Sequence, residues 1–502
     1  MLEGLFFDII YKMKDSLEDR QMNRHSGVLM HISSLYGDYS VGSFGKEAKE
    51  FVDFLAACGF TYWQVLPFCM TDECNSPYKS YSAFGGNPFF IDLPTLHRKG
   101  LLTAEELSGA KQKDPYLCEF DRLHVERMTL LRKAASRARE QGAIRQRVSD
   151  FLAAHRELAQ AATFFALKDA NEDLPWYEWT VQEPEAETLF TWQFIQFEFF
   201  MQWQEIKTYA NERGIKMVGD IPIYVALDSC DVWANRDQFQ LDERNRPTAV
   251  AGVPPDYFSE EGQLWNNPLY DWERMKQDGY AWWSRRIEYM LTLFDGIRID
   301  HFRGMEAYWS IPSEAKSAKE GKWVKGPGEA LIDRIRKVAG DHLIIAEDLG
   351  DITPEVAALL KYSGFPGMRV FQFAFLGDRE TPHLPHNYAE NCIAYTGTHD
   401  NNTLLGYIWE TDDATRRQIF AYCGYEGNDW SRGCEAVMRT MLASHAGTVI
   451  FPIQDIFVYG ADTRMNTPGT SAHNWAYRIT REQLARVDRK AFASLNELYT
   501  RA

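Results

Sequence analysis

"FDGIRIDHFRG", residues 294–304, ends a short apolar run with an arginine and an aspartate two positions apart. Side chains at i and i+2 of a strand share a face, so Arg298 and Asp300 point the same way. Such a pair is either a structural ion pair or the start of an active site. Which of these applies depends on the fold that holds the strand, and the rest of the chain supplies it. Seven further runs have the same short apolar, β-branched or aromatic character. They are "SGVLMHI" (26–32), "YWQVLPF" (62–68), "MVGDIPI" (217–223), "LIIAED" (343–348), "MRVFQFAF" (368–375), "IAYTGTHD" (393–400) and "GTVIFPIQD" (447–455). Most are continuously apolar rather than alternating, the pattern of strands buried on both faces.

Helical spacing lies between them. "KEAKEFVDFLAAC" places Phe51, Val52, Phe54 and Leu55 on one face, and "PEVAALLKYSG" (354–364) ends on Gly364, a stop signal. Strands alternating with helices imply a parallel sheet, and eight such units predict an α/β fold, a closed (β/α)8 TIM barrel. An open doubly wound sheet is the alternative. It lacks support because no G-x-G-x-x-G follows a strand and no Walker-type lysine loop occurs. One interval is too long for a single crossover, the 148 residues between Phe68 and Met217. Helical patterns at 124–140, 149–169 and 191–214 predict a large helical insertion over about 92–205, with an irregular acidic link at Asp173–Pro184. Residues 224–272 read as a loop region over the barrel mouth, and 1–502 as one catalytic barrel.

The bulk composition narrows the function. Hydrophobic residues make up 45% and charged residues 25% of the 502, close to ordinary soluble usage. The formal charge of −17, with no basic run, argues against nucleic acid as a partner. The eight cysteines form no C-x-x-C pair and no zinc-finger spacing, which suits free thiols in a reducing compartment. The N-terminal "MLEGLFFDIIYKMKDSLEDRQM" has an apolar patch interrupted by acids and no small-residue cleavage site, so it does not read as a secretory leader. No apolar stretch approaches the ~20 residues of a membrane span. A cytoplasmic protein is expected. Aromatic residues reach 14%, which serves either a large core or the apolar faces of a sugar ligand.

Chemistry in this fold sits where the strands end. Asp220 lies near the end of the third run, Arg298 and Asp300 end the fourth, Glu347 is near the end of the fifth, and His399 and Asp400 end the seventh. Four carboxylates, an arginine and a histidine therefore converge on one mouth, where each unpaired buried charge would cost several kcal/mol. Paired carboxylates flanking a bond are what glycosidic cleavage requires. Arg298 beside Asp300 favours an ionised nucleophile. Asp348 in sequence, and Asp300 in space, favour a protonated Glu347 as acid. His399 has no second histidine at a local ligand spacing, so no metal is expected, and "HDNN" reads as hydrogen-bonding groups for hydroxyls.

The sequence resembles the 4-α-glucanotransferases known as amylomaltases or disproportionating enzymes, in the α-amylase clan. The resemblance runs from about Arg24 to Arg478 and rests on "SGVLMHISSL", "NSPYKSYSAFGGNPFFIDL", "GDIPIYVALDSCDVWAN", "GVPPDYFSEEGQLWNNPLYDW", "RIDHFRG", "AEDLG", "YTGTHDNNT" and "RMNTPGT". It implies a retaining mechanism with Asp300 as nucleophile, Glu347 as acid/base and Asp400 as the third carboxylate, holding sugar hydroxyls. It also implies that Arg298, His399 and Asp220 line that subsite, that Tyr78 stacks on the donor sugar, and that Asn466 contacts substrate. Maltooligosaccharides and α-1,4-glucans are the implied partners, with no cofactor. Asn402 stands where aspartate is common in the family, and Ile32 where proline is common.

Hydrolysis and transfer share these carboxylates and differ in whether water or a sugar hydroxyl resolves the intermediate. "GVPPDYFSEEGQLW" (252–265) carries Tyr257, Phe258 and Trp265, which as a lid would exclude water and hold an acceptor. A rigid connection packed on the barrel is the alternative reading of this segment. An α-glucan hydrolase and a non-catalytic glucan binder remain as alternative functions. The binder would not need Asp300, Glu347 and Asp400 together.

Overall fold

The computed structural model describes residues 24–71, 74–255, 260–377, 379–470 and 472–502. The N-terminal apolar patch, Tyr257 and Phe258 lie outside the described residues. Twelve strands are present among the described residues: β1 (His25–Leu29), β2 (Tyr62–Gln64), β3 (Lys216–Ile221), β4 (Ala249–Val253), β5 (Gln263–Pro268), β6 (Gly296–Ile299), β7 (Ala307–Pro312), β8 (Lys322–Lys325), β9 (Leu343–Ala346), β10 (Gly367–Val370), β11 (Cys392–Tyr395) and β12 (Thr448–Pro452).

Eight of them close a parallel barrel in the order β1-β12-β11-β10-β9-β6-β3-β2. Each arises from one of the eight apolar runs. Burial on both faces explains their composition: all of β6 and β11 and nearly all of β3 are inaccessible to solvent. The seventh strand is shorter than its run. It ends at Tyr395, so His399 and Asp400 sit in the turn that follows rather than on the strand. That turn is closed by Asn401, whose Oδ1 accepts from both the amide and the hydroxyl of Thr398.

The helices between strands follow their sequence signals. Lys46–Ala57 buries Phe51, Val52, Phe54 and Leu55. In Pro354–Ser363, Thr353 caps the start through the Val356 amide, proline occupies the first turn, and Gly364 ends the helix in the left-handed region at φ 71°. Several helices lie between β2 and β3, including Met128–Glu140, Gly142–Ala154, Arg156–Ala170 and Ala186–Asn211. The central part of the last, from Phe190 to Phe199, is buried nearly all round, while its C-terminal half exposes Met201, Glu205 and Thr208. Phe190, Trp192, Phe194, Phe197, Phe199 and Trp203 are all buried along it. It packs on Lys46–Ala57 and on Arg156–Ala170, and Trp203 donates from its ring nitrogen to the Leu293 carbonyl at 2.8 Å. This helix therefore belongs to the barrel wall and the helical layer at once.

The remaining strands form a separate antiparallel sheet in the order β5-β4-β7-β8. Two come from the excursion after β3 and two from the excursion after β6, so the sheet overhangs the mouth between those strands. It places Trp265 of β5 5.1 Å from the His301 ring, edge to face. No helix of the described residues is long and apolar enough to cross a membrane.

Candidate active site

The site begins with barrel register. Parallel pairing sets Asp220 of β3 directly beside Arg298 of β6. Arg298 Nη1 donates to both Asp220 oxygens, at 2.9 and 2.8 Å, while Nη2 donates to Asp300 Oδ1 at 2.8 Å. Arg298 and Asp220 are buried, whereas the Asp300 side chain is 29% exposed. One arginine thus anchors itself on a buried carboxylate and presents a second one to the cavity. Burial pushes Asp220 up and the adjoining Arg298 charge pulls it down. The two readings of the Arg298–Asp300 pair are therefore combined: a structural ion pair supports the carboxylate at the mouth.

Glu347 follows β9 directly. Its Oε1 accepts from the Leu349 amide at 2.8 Å and its Oε2 from the His301 amide at 2.7 Å. The His301 amide reaches Glu347 because His301 takes a left-handed backbone conformation, φ 52°. Burial, followed by the Asp300 charge, pushes Glu347 up to about 7, against the opposing pull of Arg298 and the two amides. Asp348 has a different environment from the one its sequence position suggests. It is bound to Arg369 at 2.8 Å and to the Met368 amide, because successive residues leave a strand on opposite faces.

Across the mouth, Tyr78 donates from its hydroxyl to Asp220 Oδ2 at 2.7 Å and stacks on His399, with centroids 5.0 Å apart and planes 15° from parallel. His399 Nε2 lies 3.2 Å from Asp400 Oδ2. Asn466 donates from Nδ2 to Asp400 Oδ1 at 2.6 Å. Burial alone would raise Asp400, yet it is held at about 2, by the charge and hydrogen bond of His399 and by Asn466.

The structure thus brings together Asp300, Glu347, Asp400, Tyr78, Asp220, Arg298, His399, Asn466 and Trp265. It also brings in groups that sequence reading passed over. His301, pushed down to about 4 by burial, lies against Trp265. Trp475 packs 5.9 Å from both Tyr78 and His399. Arg464 donates to the Asp400 and Asn466 carbonyls. His301 and Arg464 were within reach, being inside "RIDHFRG" and "RMNTPGT". Trp475 follows an irregular segment and carried no periodic signal.

Two cavities meet here. One, of about 480 Å³, is lined by Tyr78, His399, Asn466 and Trp475. The other, of about 1050 Å³, is lined by Arg303, Leu349, Gly350 and Phe373. Both share Asp300, Glu347, Asp400, His301 and Trp265. The paired carboxyls therefore lie where two grooves join, the arrangement needed to act on a bond in the interior of a chain-like ligand.

Comparison with known proteins agrees. Residues 30–484 match the family model described as 4-alpha-glucanotransferase. The 4-alpha-glucanotransferase of Streptococcus pneumoniae is 42% identical over 494 residues, covering 95% of this chain and 97% of that protein. The 4-alpha-glucanotransferase of Thermus thermophilus is 41% identical over 488 residues, 93% of this chain and 96% of that one. Among solved structures, an amylomaltase from Streptococcus agalactiae in complex with acarbose superposes with a TM-score of 0.91 at 37% identity, covering 95% of this chain and all of that one. The chain belongs to the 4-alpha-glucanotransferase family, transferases of α-1,4-glucans.

Proposed function

We propose that the chain moves α-1,4-glucan segments between maltooligosaccharides by a retaining double displacement on Asp300. The observation that carries this reading is the contrast between two carboxyls at one junction. Asp300 is bound by Arg298, while Glu347 is raised to about 7 and so holds a proton near neutrality. Different environments for two acids define a nucleophile and an acid.

In the first step Glu347 gives its proton to the glycosidic oxygen while Asp300 attacks the anomeric carbon. The reducing-end fragment leaves and the donor fragment remains as an ester on Asp300. In the second step Glu347, now ionised, takes the proton from an acceptor 4-hydroxyl, whose oxygen displaces Asp300. Two inversions at one carbon give net retention. Asp400, held ionised by His399 and Asn466, binds hydroxyls of the reacting sugar, with Tyr78 packed on that sugar and Asp220 and Arg298 beneath. Trp265, which borders both cavities, packs on the acceptor, so that a bound sugar outcompetes water through orientation.

We further propose one catalytic barrel over 1–502, a helical insertion over about 92–205 and an active-site loop region at 224–272. A reducing, cytoplasmic setting is supported by the eight cysteines, none of which is in a disulfide among the described residues.

Incubation with pure maltotriose tests the function. A ladder of longer maltooligosaccharides, with glucose as by-product and almost no net gain in reducing ends, is expected. Conversion to glucose and maltose with reducing ends rising in step would make the chain a hydrolase.

A further inference from the structure

The larger cavity extends to a tryptophan that the catalytic steps leave unused. Trp323 lies in β8, at the free edge of the overhanging sheet, and borders this cavity beside Arg303, Gly350 and Asp351. Its indole is 38% exposed. Two contacts nevertheless fix it. The Arg303 guanidinium stacks 3.9 Å from its ring centroid. Trp309, its directly opposed partner on β7, meets it edge to face at 5.1 Å. Trp309 is itself anchored by a 2.8 Å bond from its ring nitrogen to the Ala318 carbonyl. Arg303 is in turn buried and donates to the Asp351 carbonyl.

A large aromatic surface held rigid but left open is suited to packing on the apolar C–H face of a sugar, with little ordering cost on binding. The sheet order separates Trp323 on β8 from Trp265 on β5 by three strand spacings, about 14 Å. That distance lies beyond the sugar next to the catalytic acids. The side of the junction is also defined. This cavity runs from Glu347 past Leu349, Gly350 and Asp351, away from Tyr78 and Trp475, and so holds the leaving group in the first step and the acceptor in the second.

We propose that Trp323 is a specificity-determining platform for the distal end of the acceptor glucan, which makes longer maltooligosaccharides better acceptors than short ones. The proposal rests on the transferase reading above. It is tested with the full chain, α-glucosyl fluoride as donor, and acceptors from maltose to maltoheptaose labelled at the reducing end, following initial formation of elongated labelled product. For the wild type, acceptor KM falls with length. Trp323→Ala raises KM for maltoheptaose roughly three- to tenfold, the scale of one lost aromatic contact, and raises it far less for maltose. Trp323→Phe lies between.

An equal loss at every acceptor length would show a merely structural role and overturn the proposal. So would an unaltered length profile, or a change confined to dependence on donor length. A wild type that releases fluoride yet elongates no acceptor would overturn the transferase reading itself, and this proposal with it.

Discussion

Arg298 and Asp220 form a buried bidentate pair, with Nη1 2.9 and 2.8 Å from the two carboxylate oxygens. The same guanidinium holds Asp300. Arg298→Ala would leave Asp220 buried and uncompensated, at a cost of about 3–5 kcal/mol. It should therefore lower stability in urea denaturation as well as cut transfer on maltotriose by more than about a hundredfold. Arg298→Lys keeps the charge but not the two-pronged geometry, so it should recover part of the stability and little of the activity. An alanine variant that is stable and active would remove Arg298 from the site.

Glu347 should govern the basic side of the pH profile. In the proposed mechanism its protonated form is the reactive acid, so kcat/KM on maltotriose should fall as pH rises through about 7. With α-glucosyl fluoride, whose leaving group needs little protonation, the fall should be weaker. The same shift affects stability. The folded carboxyl is raised above its ordinary 4.5, so the folded state keeps a proton that the unfolded state releases between about 4.5 and about 7. This group's contribution to stability is fully present below that window and declines as pH rises through it. A flat profile above pH 7 on both donors would reject Glu347 as the acid.

Glu347→Gln should lose about 10²–10⁴-fold on maltotriose and regain part of this on α-glucosyl fluoride. Both Glu347 oxygens accept backbone amides, so an amide nitrogen in one position would face a donor. The regained rate should therefore remain below wild type. Asp300→Asn should be inactive on both donors while still binding glucan in calorimetry. Rescue of the asparagine variant by the fluoride donor would exchange the two roles.

Asn466→Ala removes the 2.6 Å bond to Asp400 Oδ1 and one of the groups that hold this carboxylate near 2. If Asp400 acts mainly in the transition state, kcat should fall about tenfold while KM changes little. A rise in KM at constant kcat would make the contact one of ground-state binding only.

Trp265 lies at the junction of both cavities and against His301. Trp265→Ala should weaken acceptor orientation and admit water. The ratio of reducing ends formed to glucan transferred should then rise several-fold, an amount set by lost positioning rather than lost chemistry. An unchanged ratio would place acceptor selection elsewhere.

Local physics made much of this protein legible from its sequence. Eight doubly buried strands must be continuously apolar, helices between them must bury one face, and Thr353 and Gly364 mark where one helix starts and stops. In such a barrel, polar residues at strand ends mark the mouth, which is why Asp300 and Glu347 stood out. The overhanging sheet was not legible. β8 is "KWVK", three of whose four residues are exposed, and it is a strand only because β7 pairs with it. The supports of the site depended on contacts distant in sequence. Arg298 meets Asp220, 78 residues away, only through the register of β3 and β6. Asn466 meets Asp400 only through the turn that carries His399. The protonation of Glu347 comes chiefly from burial, which no neighbouring residue in the chain encodes. Periodicity is a property of the nearest few residues and can be read in one dimension. Desolvation and charge pairing depend on what the closed barrel brings together.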